Sequence, residues 1–215
     1  MRVVIAGGHG QIALRLERLL DDAVGLVRNP SHVADVEATG ARAAVLDLEQ
    51  ATVDQVASLL EGADAVVFAA GAGPGSGVPR KDTVDRGASV LMADAAERAG
   101  VRRFLQISSM GAGAPPRPGT DDVWAAYIEA KTAAEDDLRS RDLDWIILRP
   151  GGLTNDPGTG RVNLSTGSTG RGMVPRDDVA AVTVALLAEP AASRLTLELI
   201  GGDTAIPEAI AAVTG

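Results

Sequence analysis

Seven short β-prone runs are spaced along the chain at residues 2–6, 24–27, 43–46, 65–69, 103–107, 145–148 and 195–200. Between them lie amphipathic stretches: Ile12, Leu16, Leu19 and Leu20 recur three or four residues apart and so share one helical face. Similar helical patterns cover residues 52–60, 89–99, 122–139 and 178–188. Strand–helix alternation at this spacing predicts the α/β class, with a parallel sheet covered by helices on both faces. Right-handed crossovers make it a doubly wound sheet, the Rossmann arrangement. With 215 residues, 46 % of them hydrophobic, the chain suits one such domain over residues 1–215 and is short for two with a linker.

Composition narrows the chemistry. The chain has no cysteine, which excludes disulfides, thiolate metal sites and a cysteine nucleophile. With only His9 and His32 to supply imidazole, no metal site is expected. A net charge of −9 lacks the basic surface that nucleic acid requires. The N-terminus opens directly into a strand, without a signal-peptide pattern or an apolar run long enough to span a bilayer, so a cytoplasmic location is expected. A small-molecule substrate is the expected partner; nothing here reads on oligomeric state.

Three glycine-rich segments break the rhythm, at residues 71–77, 113–120 and 151–174. All follow the carboxyl ends of strands, where open α/β sheets bind ligands. The loop after the first strand is more specific. In Gly7-Gly8-His9-Gly10-Gln11-Ile12-Ala13, small residues recur at Gly7, Gly10 and Ala13. They serve a tight turn, close approach of backbone to a pyrophosphate, and close helix–strand packing. The following helix start offers unpaired N–H groups to phosphate. His9 reads as a residue lining the pyrophosphate, in preference to an acid or base. The second strand ends Val27-Arg28-Asn29, where an NAD site usually places an acid to hold ribose hydroxyls. Arg28 suits a 2′-phosphate through charge-assisted contacts; the alternative is an arginine on a surface turn. Asp47 and Leu48, after the third strand, suit the adenine edge.

The only tyrosine, Tyr127, precedes one of only two lysines, Lys131, by four residues. On a helix such a pair shares a face, and an ammonium beside a phenol favours the phenolate. Tyr127 is then a candidate acid/base for a carbonyl oxygen, with Ser108 or Ser109 hydrogen-bonding the same oxygen. The alternative is a half-buried tyrosine beside a solvated lysine.

Together these residues resemble the short-chain dehydrogenase/reductase superfamily, in particular its small atypical members of the epimerase-like, biliverdin-reductase-B-like or NmrA-like kind. The resemblance runs from the glycine loop through Phe68-Ala69-Ala70-Gly71, Ser108-Ser109 and Tyr127/Lys131. It continues through Leu148-Arg149-Pro150-Gly151 to Arg176-Asp177-Asp178. It implies NADP lying between the glycine loop, including Gln11 and Ile12, and the Tyr127/Lys131 pair, with Lys131 on the nicotinamide ribose. Ala69, Ala70, Gly71 and Ile107 would line the cofactor, and backbone around Pro150, Gly151 and Leu153 would face the nicotinamide. One departure stands out. Asp85 occupies the place where the family's catalytic tetrad has an asparagine, and an ionised Asp accepts hydrogen bonds without donating them.

The leading expectation is an NADPH-dependent oxidoreductase acting on a small carbonyl or a quinone- or flavin-like acceptor, with substrate-site elements within residues 151–177. A nucleotide-sugar epimerase or dehydratase would use the same pair but needs a larger C-terminal region. A non-catalytic NADP-binding redox sensor is the third reading, which Asp85 keeps open.

Overall fold

The structure, a computed structural model, describes residues 1–73, 76–115 and 119–215; Pro74 and Gly75 of the first glycine-rich segment after the phosphate loop, and residues 116–118 of the second, lie outside it. The main sheet contains nine strands in the order β11-β8-β10-β6-β5-β4-β1-β2-β3. Seven run parallel: β1 (Arg2–Ala6), β2 (Asp22–Val27), β3 (Arg42–Val45), β4 (Ala65–Phe68), β5 (Arg103–Ile107), β6 (Asp144–Pro150) and β10 (Leu195–Gly201). After β3 the chain crosses back and adds β4 on the other side of β1. The order therefore reverses between β1 and β4, and the carboxyl ends of those strands open a crevice.

Both sheet faces are buried, which is why the parallel strands read as nearly continuous apolar runs. Along β1, Val3 and Ile5 face one core with Leu16 of α1 (Ala13–Glu17), Val182 and Leu186 of α7 (Arg176–Ala188) and Ile210 of α8 (Ile206–Thr214). Val4 and Ala6 face the other, with Leu60 of α3 (Val53–Leu60), Met92 of α5 (Ser89–Ala99) and Leu138 of α6 (Asp122–Arg139). Helix α3 starts at a capping box, with the Thr52 hydroxyl accepting from the Gln55 N–H at 3.3 Å and the Gln55 side chain accepting from the Thr52 N–H at 2.9 Å.

Parts of the structure differ from the sequence reading. The segment 151–174 is not one loop. It holds β7 (Gly152–Thr154), β8 (Arg161–Ser165) and the start of β9 (Met173–Pro175). Strand β8 pairs antiparallel with β10, and β11 (Thr204–Ala205) pairs with β8, so the parallel sheet acquires an antiparallel edge. The signal was short: only Val162 and Leu164 alternate inward. Helix α5 is preceded by α4 (Val78–Arg80) and a π-helical stretch, Lys81–Ala88, whose polar composition and Gly87 hide its helical period. Among the described residues no helix is long and apolar enough to cross a membrane.

Candidate cofactor and active site

The crevice at the β1/β4 reversal is a groove of about 500 Å³ lined by Gly7, His9 and Gly10 on one side and Ala69, Ala70 and Gly71 on the other. Gly7 has φ +82°, and a Cβ there would lie 2.7 Å from Ala70 Cα, so both conformation and closeness to the β4 loop demand glycine. A Cβ on Gly10 would come within 3.0 Å of Gly7 O, the atom to which the Gly10 N–H donates. The backbone N–H groups of His9, Gln11 and Ile12 have no protein partner among the described residues. A bare-backbone cradle with unpaired donors fits a dinucleotide's phosphates. The side chains of Gln11 and Ile12 serve elsewhere: Gln11 Oε1 accepts from Arg15, and Ile12 packs on the core. The His9 ring stacks on His32 with centroids 3.7 Å apart, and its Nε2 lies 2.8 Å from Asp35 Oδ2, which holds it against α2 (Val33–Glu37).

At the β2 end of the groove lie Arg28, Asn29, Asp47 and Leu48. Asn29 is occupied as a turn cap, its side chain accepting from the Ser31 N–H at 3.0 Å. Asp47 Oδ1 accepts from the Glu49 N–H at 3.0 Å. The absence of an acid at the β2 terminus proves local, because Glu49 arrives from beyond β3. Its Oε2 receives Arg28 Nη1 at 3.0 Å and Arg80 Nη2 at 2.7 Å, while its Oε1 receives the Thr83 hydroxyl at 2.7 Å. The Thr83 and Arg80 hydrogen bonds hold the Glu49 carboxyl below the usual carboxylate range.

The Tyr-Lys face is more closed. Lys131 is 3 % exposed and Asp85 0 %; Lys131 Nζ lies 3.2 Å from Asp85 Oδ1 and donates to Ile107 O at 3.4 Å. Asp85 Oδ2 also accepts the Ala72 N–H at 3.1 Å, bracing the groove wall. Lys131, expected from sequence on a ribose, places its ammonium between Asp85 and Ile107 O, where the carboxylate offsets its charge. The second lysine, Lys81, enters the site from the π-helical stretch. Its Nζ donates to Gly73 O at 3.0 Å and stands 5.4 Å from the Tyr127 ring centroid, against 5.7 Å for Lys131. The Tyr127 hydroxyl has no hydrogen-bond partner among the described residues. The sequence signal for Lys81 was only its rarity, as one of two lysines in the chain.

The two serines separate. Ser108 gives its one proton to the buried carboxylate of Glu135 at 2.6 Å, so its expected role on a substrate oxygen is corrected. Glu135, eight residues beyond Tyr127, also receives Arg149 Nε at 2.9 Å and Arg139 Nη2 at 2.7 Å. That contact, ahead of the cost of burial, raises the Arg149 guanidinium above its ordinary value. Ser109 faces a larger cavity of about 960 Å³, with Met110, Trp124 and Met173 on its apolar side and Arg171 and Glu198 on its polar side. Pro150 and Gly151 line this cavity, not the groove, and Leu153 lines neither. Trp124 connects cavity to tyrosine, its ring centroid 5.2 Å from that of Tyr127. The acids after Arg176 are structural: Asp177 accepts the Gly158 N–H, and Asp178 accepts those of Thr159 and Gly160.

Comparison with known proteins agrees with this geometry. The model of the NAD(P)H-binding family matches residues 7–190. YhfK of Bacillus subtilis, named an uncharacterized sugar epimerase, is 35 % identical over 215 residues, covering 98 % of this chain and 99 % of its own. A Bacillus halodurans structure whose name places it with NAD-dependent epimerases/dehydratases superposes with TM-score 0.91 at 31 % identity, over 99 % of this chain and 100 % of that one. ChuY, an anaerobillin reductase from Escherichia coli O157:H7, superposes with TM-score 0.77 at 26 % identity, over 94 % and 98 % of the two chains. The glycine cradle, the strand reversal and the match across the chain together make this protein a member of the NAD(P)H-binding family, among the atypical short-chain dehydrogenase/reductase Rossmann proteins.

Proposed function

We propose that the protein is an NADPH-dependent oxidoreductase that reduces a small carbonyl or a quinone- or flavin-like acceptor. The observation that carries this reading is the position of the single tyrosine. Tyr127 stands between Lys81, bonded to Gly73 of the dinucleotide groove, and Trp124, which lines the apolar cavity. The glycine loop and the Arg28 end of the groove would hold NADPH, which supplies hydride when bound. Tyr127, whose hydroxyl has no partner among the described residues, would donate a proton to the acceptor oxygen, and Ser109 would orient that oxygen. Met110, Trp124 and Met173 favour a flat, largely apolar acceptor and limit water.

The names of the Bacillus relatives raise epimerase chemistry, whereas ChuY is a reductase. Reduction is favoured because most of the chain after Pro150 completes the sheet and its core through β8, β10, β11, α7 and α8. Little remains to grip a nucleotide sugar. A cofactor sensor draws support from one observation, the pairing of Asp85 with Lys131.

Tyr127→Phe keeps the ring and removes the proton donor. Turnover with a carbonyl substrate should fall by roughly 10²–10⁴-fold while NADPH affinity is retained. Unchanged turnover would remove Tyr127 as the acid and point to direct hydride transfer. Tight NADPH binding without turnover of any aldehyde, ketone, quinone or flavin would favour the sensor.

A further inference from the structure

Three side chains from distant parts of the sequence meet in the groove: Arg28 after β2, Glu49 after β3 and Arg80 at the end of α4. Both guanidinium groups bond the same oxygen, Glu49 Oε2, at 3.0 and 2.7 Å. Two guanidinium cations share one ionised carboxylate here, while Asp47, the other acid at this end of the groove, accepts from the Glu49 N–H. Only Nη1 of Arg28 is used in that contact, and the side chain is 54 % exposed, so most of its donors point to solvent. Glu49 is already engaged at both oxygens, by the two arginines at Oε2 and by Thr83 at Oε1.

We propose that Arg28 and Arg80 form a two-armed clamp for the 2′-phosphate, and that Glu49 is the stand-in anion which holds the arms in place until the phosphate displaces it. A phosphate monoester carries close to two negative charges and three strong acceptor oxygens, enough to satisfy both guanidiniums. A ribose hydroxyl offers neither and leaves Glu49 in possession of both arginines. Arg80 and Glu49 are thus specificity-determining residues. The inference rests on the NADPH reading above and adds two residues to it.

Calorimetric titration of the whole protein with adenosine 2′,5′-bisphosphate and with AMP, which differs from it only in lacking the 2′-phosphate, isolates this end without any turnover. Arg80→Gln should weaken the bisphosphate by about tenfold or more, as expected for loss of a charge-assisted contact, and leave AMP affinity unchanged. Glu49→Gln should tighten the bisphosphate several-fold, again without effect on AMP. Suppose Arg28→Gln abolishes the bisphosphate preference while Arg80→Gln and Glu49→Gln leave it intact. The NADPH reading then stands and the clamp falls. Equal wild-type affinities for the two probes overturn both. If Arg80→Gln also loses AMP affinity through local misfolding, Glu49→Gln decides: tighter bisphosphate binding supports the clamp, and unchanged or weaker binding overturns it.

Discussion

The groove has a lysine end and an arginine end, and they treat charge in opposite ways. At the lysine end Lys131 and Asp85 are sealed from solvent, and the pair is braced by Ile107 O and the Ala72 N–H. At the arginine end Arg28 and Arg80 remain 54 % and 38 % exposed. A buried pair gives up its hydration, and removing one partner strands the other charge in a poor solvent. An exposed pair gains little and loses little, because water and salt replace each partner readily. The lysine end therefore behaves as architecture, whereas the arginine end is free to exchange its carboxylate for a ligand.

The contrast is broken most forcefully at Lys131. Lys131→Met leaves the Asp85 carboxylate buried without its cation and should cost about 3–5 kcal/mol of unfolding free energy. Adding Asp85→Asn should restore a large part of that loss, because an amide tolerates burial better than a stranded charge. Urea unfolding of the two variants measures both effects. A Lys131→Met variant as stable as a surface substitution would show that the sealed pair is not architectural.

Glu17 sharpens the same point, since it is a buried carboxyl without a cation bonded to it. It is 1 % exposed beneath the glycine loop, and its hydrogen-bond partner is the Thr39 hydroxyl at 3.3 Å. Burial pushes its pKa up to about 7, against the opposing effects of Thr39 and Arg18. The folded protein therefore holds a proton that the unfolded chain releases near the ordinary glutamate value of 4.5. The stabilisation is complete below that value and is lost as pH rises through about 7. The full span corresponds to on the order of 3 kcal/mol. Glu17→Gln should flatten stability between pH 5 and 8, as read by urea midpoints across that range. An equally steep wild-type and variant profile would assign the dependence to other groups.

What could be read from sequence follows the same division between local and assembled features. The parallel strands and the Gly7–Gly10 turn rest on patterns within a few residues, where periodicity and glycine geometry act directly. Arg28, at the end of β2, and Tyr127/Lys131, one helical turn apart, were legible for the same reason. The arginine–glutamate cluster was not, because Arg28, Glu49 and Arg80 belong to three segments that meet only once β1, β2, β3 and β4 have taken their order. Ser108 shows the converse error. Its position after β5 suggested a substrate contact, but its hydroxyl is claimed by Glu135, a residue that reads in sequence as one more polar position on α6. Strand β8 escaped notice because its short inward alternation acquires meaning only beside β10.

The smallest effect on stability should accompany a large effect on ligand choice, at Arg28. Its contact with Glu49 is exposed, and Arg80 and Thr83 continue to hold that carboxylate after Arg28 is removed. Arg28→Ala should therefore change unfolding free energy by less than about 1 kcal/mol. The same substitution removes a cation from the proposed 2′-phosphate site, so NADPH affinity should drop roughly 10–100-fold, the range for a hydrogen bond to a charged group. NADH, lacking that phosphate, should bind the variant as it binds wild type. Raising salt from 0.05 to about 0.5 M should narrow the wild-type gap between the two cofactors, because exposed charges are screened over a few ångströms at high ionic strength. Fluorescence titration of both cofactors in both proteins provides the comparison. Loss of stability on the scale of Lys131→Met would erase the distinction between the two ends, and equal weakening of NADPH and NADH would show that Arg28 holds a part common to both.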